Sequence, residues 1–474
     1  MDDVTAPDVE RPVVAVANRL PVHAGEDGWQ LSPGGLVTAL RTVMSARSGA
    51  WVGWDGGTKG TPRRLPELDI ELAPVTLTTS QVRDYYHGFA NRTLWPLLHN
   101  AIEKPVFDRA WWAAYKTVNE RFATAASAAL DSHHDPLLWV HDYHLLLVPE
   151  LVRSQRPEQR SGLFLHTPWP SPDIFARIPW RKNLLLGPLG ADVVSFHTDR
   201  YRKNFVRACG RLLTGDGVKV RGADLHMPDG RVVRTSASPI SIDVGQFARL
   251  ATSEQAERDI ALLGEQFTGR TVLLGVDRLD YTKGIVERLL AFEALLERRS
   301  DLRDRLVLVQ VAVPSRDDVR EYRQLRSRVE QIAGRINGRF TAPGKDVPVH
   351  YLYRSLTPQS LTAYYAAADL MLVTPLVDGM NLVAKEYVAV QSARRGDGVL
   401  LLSEFTGAAV ELKDAVLCNP FDVDGLSLLL EQALTLSAAG RRRAMAAMAR
   451  RVTTHDVHRW VDVQLSDIAA AAGS

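Results

Sequence analysis

Arg278 and Lys283 are the side chains best placed for chemistry, in the run Gly275-Val-Asp-Arg278-Leu-Asp-Tyr-Thr-Lys283-Gly284-Ile285. Val272–Val276 reads as a short buried strand. Gly284 then opens a helix whose apolar positions recur at Ile285, Leu289, Phe292 and Leu296. The loop between them therefore carries both cations at the carboxyl end of a strand and beside a helix N-terminus, a place where anions bind. Two cations imply more negative charge than one carboxylate, and a nucleotide diphosphate fits. Taken alone, the run fits a solvated basic loop equally well.

Other chemistry-bearing residues fall at comparable places. Asn18-Arg19-Leu20-Pro21 follows the strand Val13–Ala17, where an Arg acts as a phosphate clamp or as an exposed turn residue. Pro33-Gly34-Gly35-Leu36 opens a helix, and paired glycines let backbone N–H groups approach a ligand closely. Trp54, Tyr86 and Trp95 supply aromatic faces on which sugars dock, although such clusters are commonly core. His141-Asp142-Tyr143-His144 ends the strand Leu137–Val140; Asp142 reads as a sugar-hydroxyl acceptor rather than a metal ligand. His166 ends the strand Gly162–Leu165, and Pro314-Ser-Arg316 follows the strand Leu306–Val311. In Asp378-Gly-Met-Asn381-Leu382-Val-Ala-Lys-Glu386, Asp378 lies in a loop. Leu382 and Glu386 share a helix face at its N-terminal end, where a carboxylate complements the helix dipole or bridges ribose hydroxyls. Asp422-Val-Asp424 reads as a helix cap, so no metal site is assigned.

These side chains need a scaffold that sets strand ends side by side. Strand-like and helical runs alternate almost throughout the 474 residues, the pattern of α/β architecture with parallel sheets. That length implies more than one core. A boundary near residue 240 separates two doubly wound halves, 1–240 and 241–454, and the helical segment 455–474 packs back on the first. The cleft between such halves is the expected site. A net charge of +2 argues against a nucleic-acid or membrane surface. The two cysteines, Cys209 and Cys418, lack metal spacing. The acidic N-terminus is no signal peptide, and no window is apolar enough to span a membrane, so a cytoplasmic protein is expected.

In their order along the chain these motifs resemble the trehalose-6-phosphate synthases, retaining glycosyltransferases of the two-Rossmann GT-B type. The resemblance runs from Val13 to about Ile468. It is most specific at Val276-Asp-Arg-Leu-Asp-Tyr-Thr-Lys-Gly, Asp378-Gly-Met-Asn-Leu-Val-Ala-Lys-Glu-Tyr-Val and Val140-His-Asp-Tyr-His, with Ala333-Gly-Arg-Ile-Asn-Gly and Phe164-Leu-His-Thr-Pro adding to it. It implies that Arg19 and Arg316 bind the phosphate of glucose 6-phosphate. Trp54, Tyr86 and Trp95 would shape the acceptor pocket, with Asp142 on an acceptor hydroxyl. Gly34, Gly35, Arg278 and Lys283 would hold the donor diphosphate, and Leu382 would lie beside it. His166, Asp378 and the backbone through Asn381 would meet the donor sugar, and Glu386 the ribose. Asp142, His166, Arg278, Lys283 and Asp378 would form the catalytic group. No cofactor or metal is implied; a homo-oligomer, dimer or tetramer, is.

Two rivals share the fold. A glucosylglycerol-phosphate synthase or a pseudoglycosyltransferase would alter the acceptor-side motifs, yet Asn18-Arg19, Trp54, Tyr86 and Trp95 all match. A catalytically silent sugar-phosphate sensor would lack Arg278, Lys283 or Glu386, and all three are present. The nucleobase stays open between uridine and guanosine, because Tyr353-Arg354-Ser355-Leu356 departs from the pattern of strict uridine users. Same-face displacement and a covalent intermediate also stay open.

Overall fold

The computed structural model describes residues 11–25, 28–31, 37, 48–57, 61–62, 64–65, 68–316 and 319–471. They divide into two units, residues up to Ile240 joined by Val457 onward, and Ser241–Asp456.

In the first unit, ten described strands form one sheet. Its centre runs Val193–Phe196, Ser161–Leu165, Leu137–His141, Val13–Arg19, Gly49–Trp54 and Leu68–Val75, with every neighbouring pair parallel. Val13 through Ala17 are all buried, as expected of an interior strand covered on both faces. Strand order reverses between Val13–Arg19 and Leu137–His141, a topological switch point at which ligands of such sheets bind. The helix Val457–Ala470 covers this sheet with Val457, Trp460, Val461, Leu465 and Ile468. Its seat depends on Gly162: a Cβ there would lie 2.5 Å from Ile468 Cδ1.

In the second unit, six described strands form an all-parallel sheet in the order Val349–Tyr353, Leu306–Val313, Thr271–Arg278, Leu370–Val373, Val399–Ser403, Val416–Cys418. Numbered along the chain, this is the Rossmann order 3-2-1-4-5-6, with its switch point between Thr271–Arg278 and Leu370–Val373. The first strand is longer than the sequence pattern suggests. Arg278 is its last residue rather than part of the following loop, because pairing with Leu306–Val313 continues through Arg278↔Val313.

Beneath that switch point lies a buried charged network. Arg288, from the helix Ile285–Arg298, is 1% exposed and donates to Asp277 Oδ2 (2.6 Å), Gln310 Oε1 (2.7 Å) and Thr374 Oγ1 (3.1 Å). One guanidinium thus ties together three neighbouring strands, near the end of Thr271–Arg278, within Leu306–Val313 and just past Leu370–Val373. Gly275 makes room for it: a Cβ there would lie 2.2 Å from Arg288 Nη1. Gly284 is needed beside it, with φ of 63° and a would-be Cβ 2.0 Å from Thr374 O. No helix among the described residues is long and apolar enough to cross a membrane.

Removing one member of such a pair strands a buried charge, at a cost of about 3–5 kcal/mol. Arg288→Met should therefore destabilise the second unit by that amount in urea titrations. Arg288→Met combined with Asp277→Leu should cost clearly less, and equal losses would contradict this account.

Candidate active site

Each unit gathers its candidate residues at the carboxyl ends of its strands. In the first unit Arg19 closes the strand Val13–Arg19, and its backbone is fixed from both sides. Trp51 Nε1 donates to Arg19 O (3.1 Å), and Leu20 N donates to Trp54 O (3.1 Å). Gly53 permits this close approach, since a Cβ there would lie 2.5 Å from Arg19 C. The exposed Arg19 guanidinium lies 4.4 Å from the Trp54 ring centre and 5.5 Å from that of Tyr86. The aromatic faces favour the cation while leaving its N–H groups outward. Tyr86 belongs to a π-helical segment, Val82–Leu94, and stacks at 6.0 Å on His144. Wide turns of this kind are often found at functional sites. Trp95 is buried against His99 (4.0 Å) and Tyr143 (5.8 Å), so it acts as the floor of the aromatic group.

Asp142 follows Leu137–His141 with φ of 72°, a left-handed conformation that is costly for a residue with a Cβ. Its N–H donates to Phe164 O (2.8 Å), and its Oδ1 accepts from His166 N (3.2 Å), so it clasps two adjacent strand ends. His166 Nε2 faces His141 Nδ1 at 3.2 Å. Burial pushes the His166 imidazole down to about 3 and that of His141 well below the usual range, the latter also through its neighbour His166. Both rings are neutral at physiological pH.

In the second unit Arg278 and Lys283 flank Asp280, a carboxylate that is 0% exposed. Asp280 accepts from Thr282 N (3.0 Å), Thr282 Oγ1 (2.9 Å), Tyr322 Oη (3.0 Å) and Arg316 Nη1 (3.2 Å). Burial works to raise its pKa, but Arg316, Arg278, the Thr282 N–H and Lys283 together prevail and hold it at about 2. Arg316, at φ of 53°, is folded onto this carboxylate and onto the Tyr322 hydroxyl, with its side chain 6% exposed. Lys283 Nζ donates to Asp378 Oδ2 at 2.5 Å, and Asn381 Nδ2 donates to the same oxygen at 3.1 Å. Asn381, at φ of 74°, also caps the helix Leu382–Ala393 by accepting from Ala384 N. Half-buried Leu382 is the first residue of that helix. One turn on, Glu386 Oε2 accepts from Tyr365 Oη (2.8 Å), and burial raises this carboxyl to about 6.

The structure thus brings Arg19, Trp54, Tyr86, Trp95, Asp142 and His166 together in one unit, and Arg278, Lys283, Arg316, Asp378, Asn381, Leu382 and Glu386 in the other. Gly34 and Gly35 lie outside the described residues. Sequence reasoning assigned nothing to Asp280, Tyr322, Tyr365, His141 or Arg288. Asp280 sat inside the motif already singled out; Tyr322 and Arg288 lie on helices whose periodicity gives no sign that a polar side chain points inward. Among the described residues, no cluster of three or more His, Cys, Asp or Glu is arranged to hold a metal.

Asp280→Asn removes the counter-charge of a buried guanidinium, and should cost about 3–5 kcal/mol in urea unfolding. Tyr322→Phe, which loses the bond to Asp280 and the one accepted from Arg316, should cost about 1–3 kcal/mol. A larger loss for the Tyr322 variant than for the Asp280 variant would refute this electrostatic ordering.

Similarity to known proteins extends over nearly the whole chain. The model of glycosyltransferase family 20 matches residues 11–470. The trehalose-6-phosphate synthase of Mycobacterium avium (strain 104) is 46% identical over 475 residues, covering 96% of this chain and 95% of that protein. An E. coli structure bound with UDP-2-fluoro glucose superposes with a TM-score of 0.87 at 34% identity, covering 96% and 98% of the two chains. A UDP-forming alpha,alpha-trehalose-phosphate synthase from Burkholderia xenovorans, in complex with glucose-6-phosphate, gives 0.86 at 31% identity, covering 97% and 100%. With two Rossmann-like units and these neighbours, the fold is of the GT-B type, and the chain belongs to glycosyltransferase family 20.

Proposed function

We propose that the chain is a trehalose-6-phosphate synthase, moving glucose with retention from a nucleotide-glucose donor, UDP-glucose or GDP-glucose, to glucose 6-phosphate. The observation that carries this is the pair of cations Arg278 and Lys283 at the switch point of a Rossmann sheet, beside the N-terminus of a helix. The bond from the donor anomeric carbon to the β-phosphate oxygen breaks, its electrons leaving with the diphosphate. The acceptor's anomeric oxygen bonds to that carbon from the same face, and its proton passes to the departing phosphate oxygen. A covalent carboxylate intermediate is the competing route to retention. Arg278, Lys283 and the backbone at Gly34 and Gly35 offset the developing charge. Leu382 lies beside the diphosphate. Asp378, Asn381 and His166 hold the donor glucose and Glu386 the ribose.

On the acceptor side Arg19 binds the phosphate from its aromatic seat, and Arg316 joins it after leaving Asp280. Trp54, Tyr86 and Trp95 frame the sugar, and Asp142 accepts from one of its hydroxyls. Asp142, His166, Arg278, Lys283 and Asp378 are the catalytic group of this reading. A cytoplasmic, homo-oligomeric enzyme, dimer or tetramer, free of cofactor and of metal, completes it.

The purified protein, given glucose 6-phosphate and in turn UDP-, GDP- and ADP-glucose without added metal, should release nucleotide and form trehalose 6-phosphate with at least one donor. No turnover with any of them, despite glucose 6-phosphate binding, would leave a sensor instead. Lys283→Ala should lower kcat by about 10²–10³, the scale of a lost oxyanion donor.

Glu386 adds a pH signature. It is protonated below about 6 and ionised above, and only the ionised form offers both oxygens purely as acceptors to the ribose hydroxyls. The donor KM should therefore fall as pH rises from 5 to 7, and Glu386→Gln should flatten that profile. An unchanged profile would remove Glu386 from the donor site.

A further inference from the structure

We propose that His141 is a positioning residue that fixes the ring hydrogen of His166: His141 carries its hydrogen on Nδ1 and donates it to His166 Nε2, so that His166 presents an Nδ1–H donor to the site. This deepens the synthase reading and rests on it for its functional meaning.

The two rings lie 5.4 Å apart at 29°, with His141 Nδ1 and His166 Nε2 at 3.2 Å. Two neutral imidazoles in this contact place one hydrogen between the facing nitrogens, and two arrangements satisfy that. Either His166 donates from Nε2 and leaves a bare Nδ1, or it accepts at Nε2 and carries its hydrogen on Nδ1. The far side of His141 decides.

His141 is 0% exposed, and its Nε2 has no hydrogen-bond partner among the described residues. Trp139 packs on it at 4.5 Å, and Trp460 packs on Trp139 at 5.2 Å. Trp139 Nε1 and Trp460 Nε1 are also buried without a partner among the described residues, and both are donors. A hydrogen on His141 Nε2 would add a third unmatched donor to this cluster, each costing about 1–3 kcal/mol. A bare Nε2 instead sets an acceptor among these N–H dipoles, which favour its lone pair electrostatically. The hydrogen of His141 then sits on Nδ1, and the bond to His166 runs from His141. His166 is half-buried and anchored through its backbone N–H to Asp142 Oδ1. Its Nδ1 is the ring nitrogen outside the buried contact.

The C-terminal helix thereby acts on the site through hydrogen-bond polarity. Trp139, held by Trp460 of that helix, sets the tautomer of His141, and His141 sets that of His166. An Nδ1–H group holds a sugar hydroxyl or phosphate oxygen and accepts no proton, in keeping with a reaction whose proton leaves with the phosphate.

The test uses the ligand-free full chain with ¹⁵N-labelled histidine. Long-range ¹H–¹⁵N correlation at neutral pH separates protonated from bare ring nitrogens, and His141→Asn and His166→Asn assign two of the 13 histidines. Both rings should show Nδ1–H and a bare Nε2; an Nε2–H on His166 would overturn the proposal. His141→Asn, whose amide replaces the Nδ1 donor, should keep His166 as Nδ1–H and retain kcat within about threefold. His141→Phe should release His166 to a tautomer mixture and lower kcat about tenfold or more, as loss of one hydrogen bond predicts. Equal loss of activity in both variants with an unchanged His166 tautomer would reduce His141 to a packing residue and also overturn it. The tautomers are read without substrate. A protein that forms no trehalose 6-phosphate would thus defeat the synthase reading and leave the His141–His166 result standing or falling by itself.

Discussion

The buried Arg288–Asp277 pair is the constraint around which the second unit is arranged. A charged pair with 1% and 2% of its side-chain surfaces exposed is costly unless further hydrogen bonds support it. Gln310 and Thr374 accept from Nη1 and Nε, while Nη2 has no partner among the described residues. These partners come from three neighbouring strands, so the charge also sets their relative advance. Gly275 and Gly284 follow from the same arrangement: one clears space for the guanidinium, the other lets the helix that carries it start against Thr374. Arg278, Lys283 and Asp378 all lie one to six residues from a member of this network. Their positions are inherited from it.

Above that layer the cations are held in two different ways. Lys283 and Arg316 each rest against a carboxylate of their own unit, Asp378 and Asp280. The pairing keeps a dense group of like charges compatible with folding in the absence of any anion. Arg19 rests on the faces of Trp54 and Tyr86, an attraction that leaves its hydrogen-bond donors unspent. A paired cation exchanges one anion for another, whereas an aromatic-seated one gains an anion without losing a partner. The first arrangement favours discrimination and the second favours capture.

The parallel sheets were legible because a strand covered on both faces leaves a continuous apolar run, as in Val13–Ala17 and Leu306–Val311. The places where Arg19, Asp142 and His166 lie were legible as strand ends for the same reason. Strand ends themselves were less so: Arg278 extends its strand beyond the apolar run because ladder pairing with Val313 outlasts the hydrophobic pattern. What stayed hidden is long-range and polar. Tyr322 lies 42 residues from Asp280, and Arg288 lies 86 from Thr374. A buried arginine on a helix looks, in sequence, like an exposed one. The tilt of Arg316 toward Asp280 was hidden too, since its left-handed backbone carries no glycine to announce it.

The seat of the last helix against Gly162 has a consequence for the order in which the molecule is made. The first unit is completed by residues from Val457 onward, yet Ser241–Asp456 must be synthesised in between. At roughly 5–20 residues per second, about 10–40 s separate the emergence of the first sheet from that of its cover. During this interval Trp139, Phe164 and Ile468's place over Gly162 await an element not yet made. The first 240 residues are therefore a nascent intermediate with an open apolar face, and the chain reaches its native form only when its two ends meet in one unit.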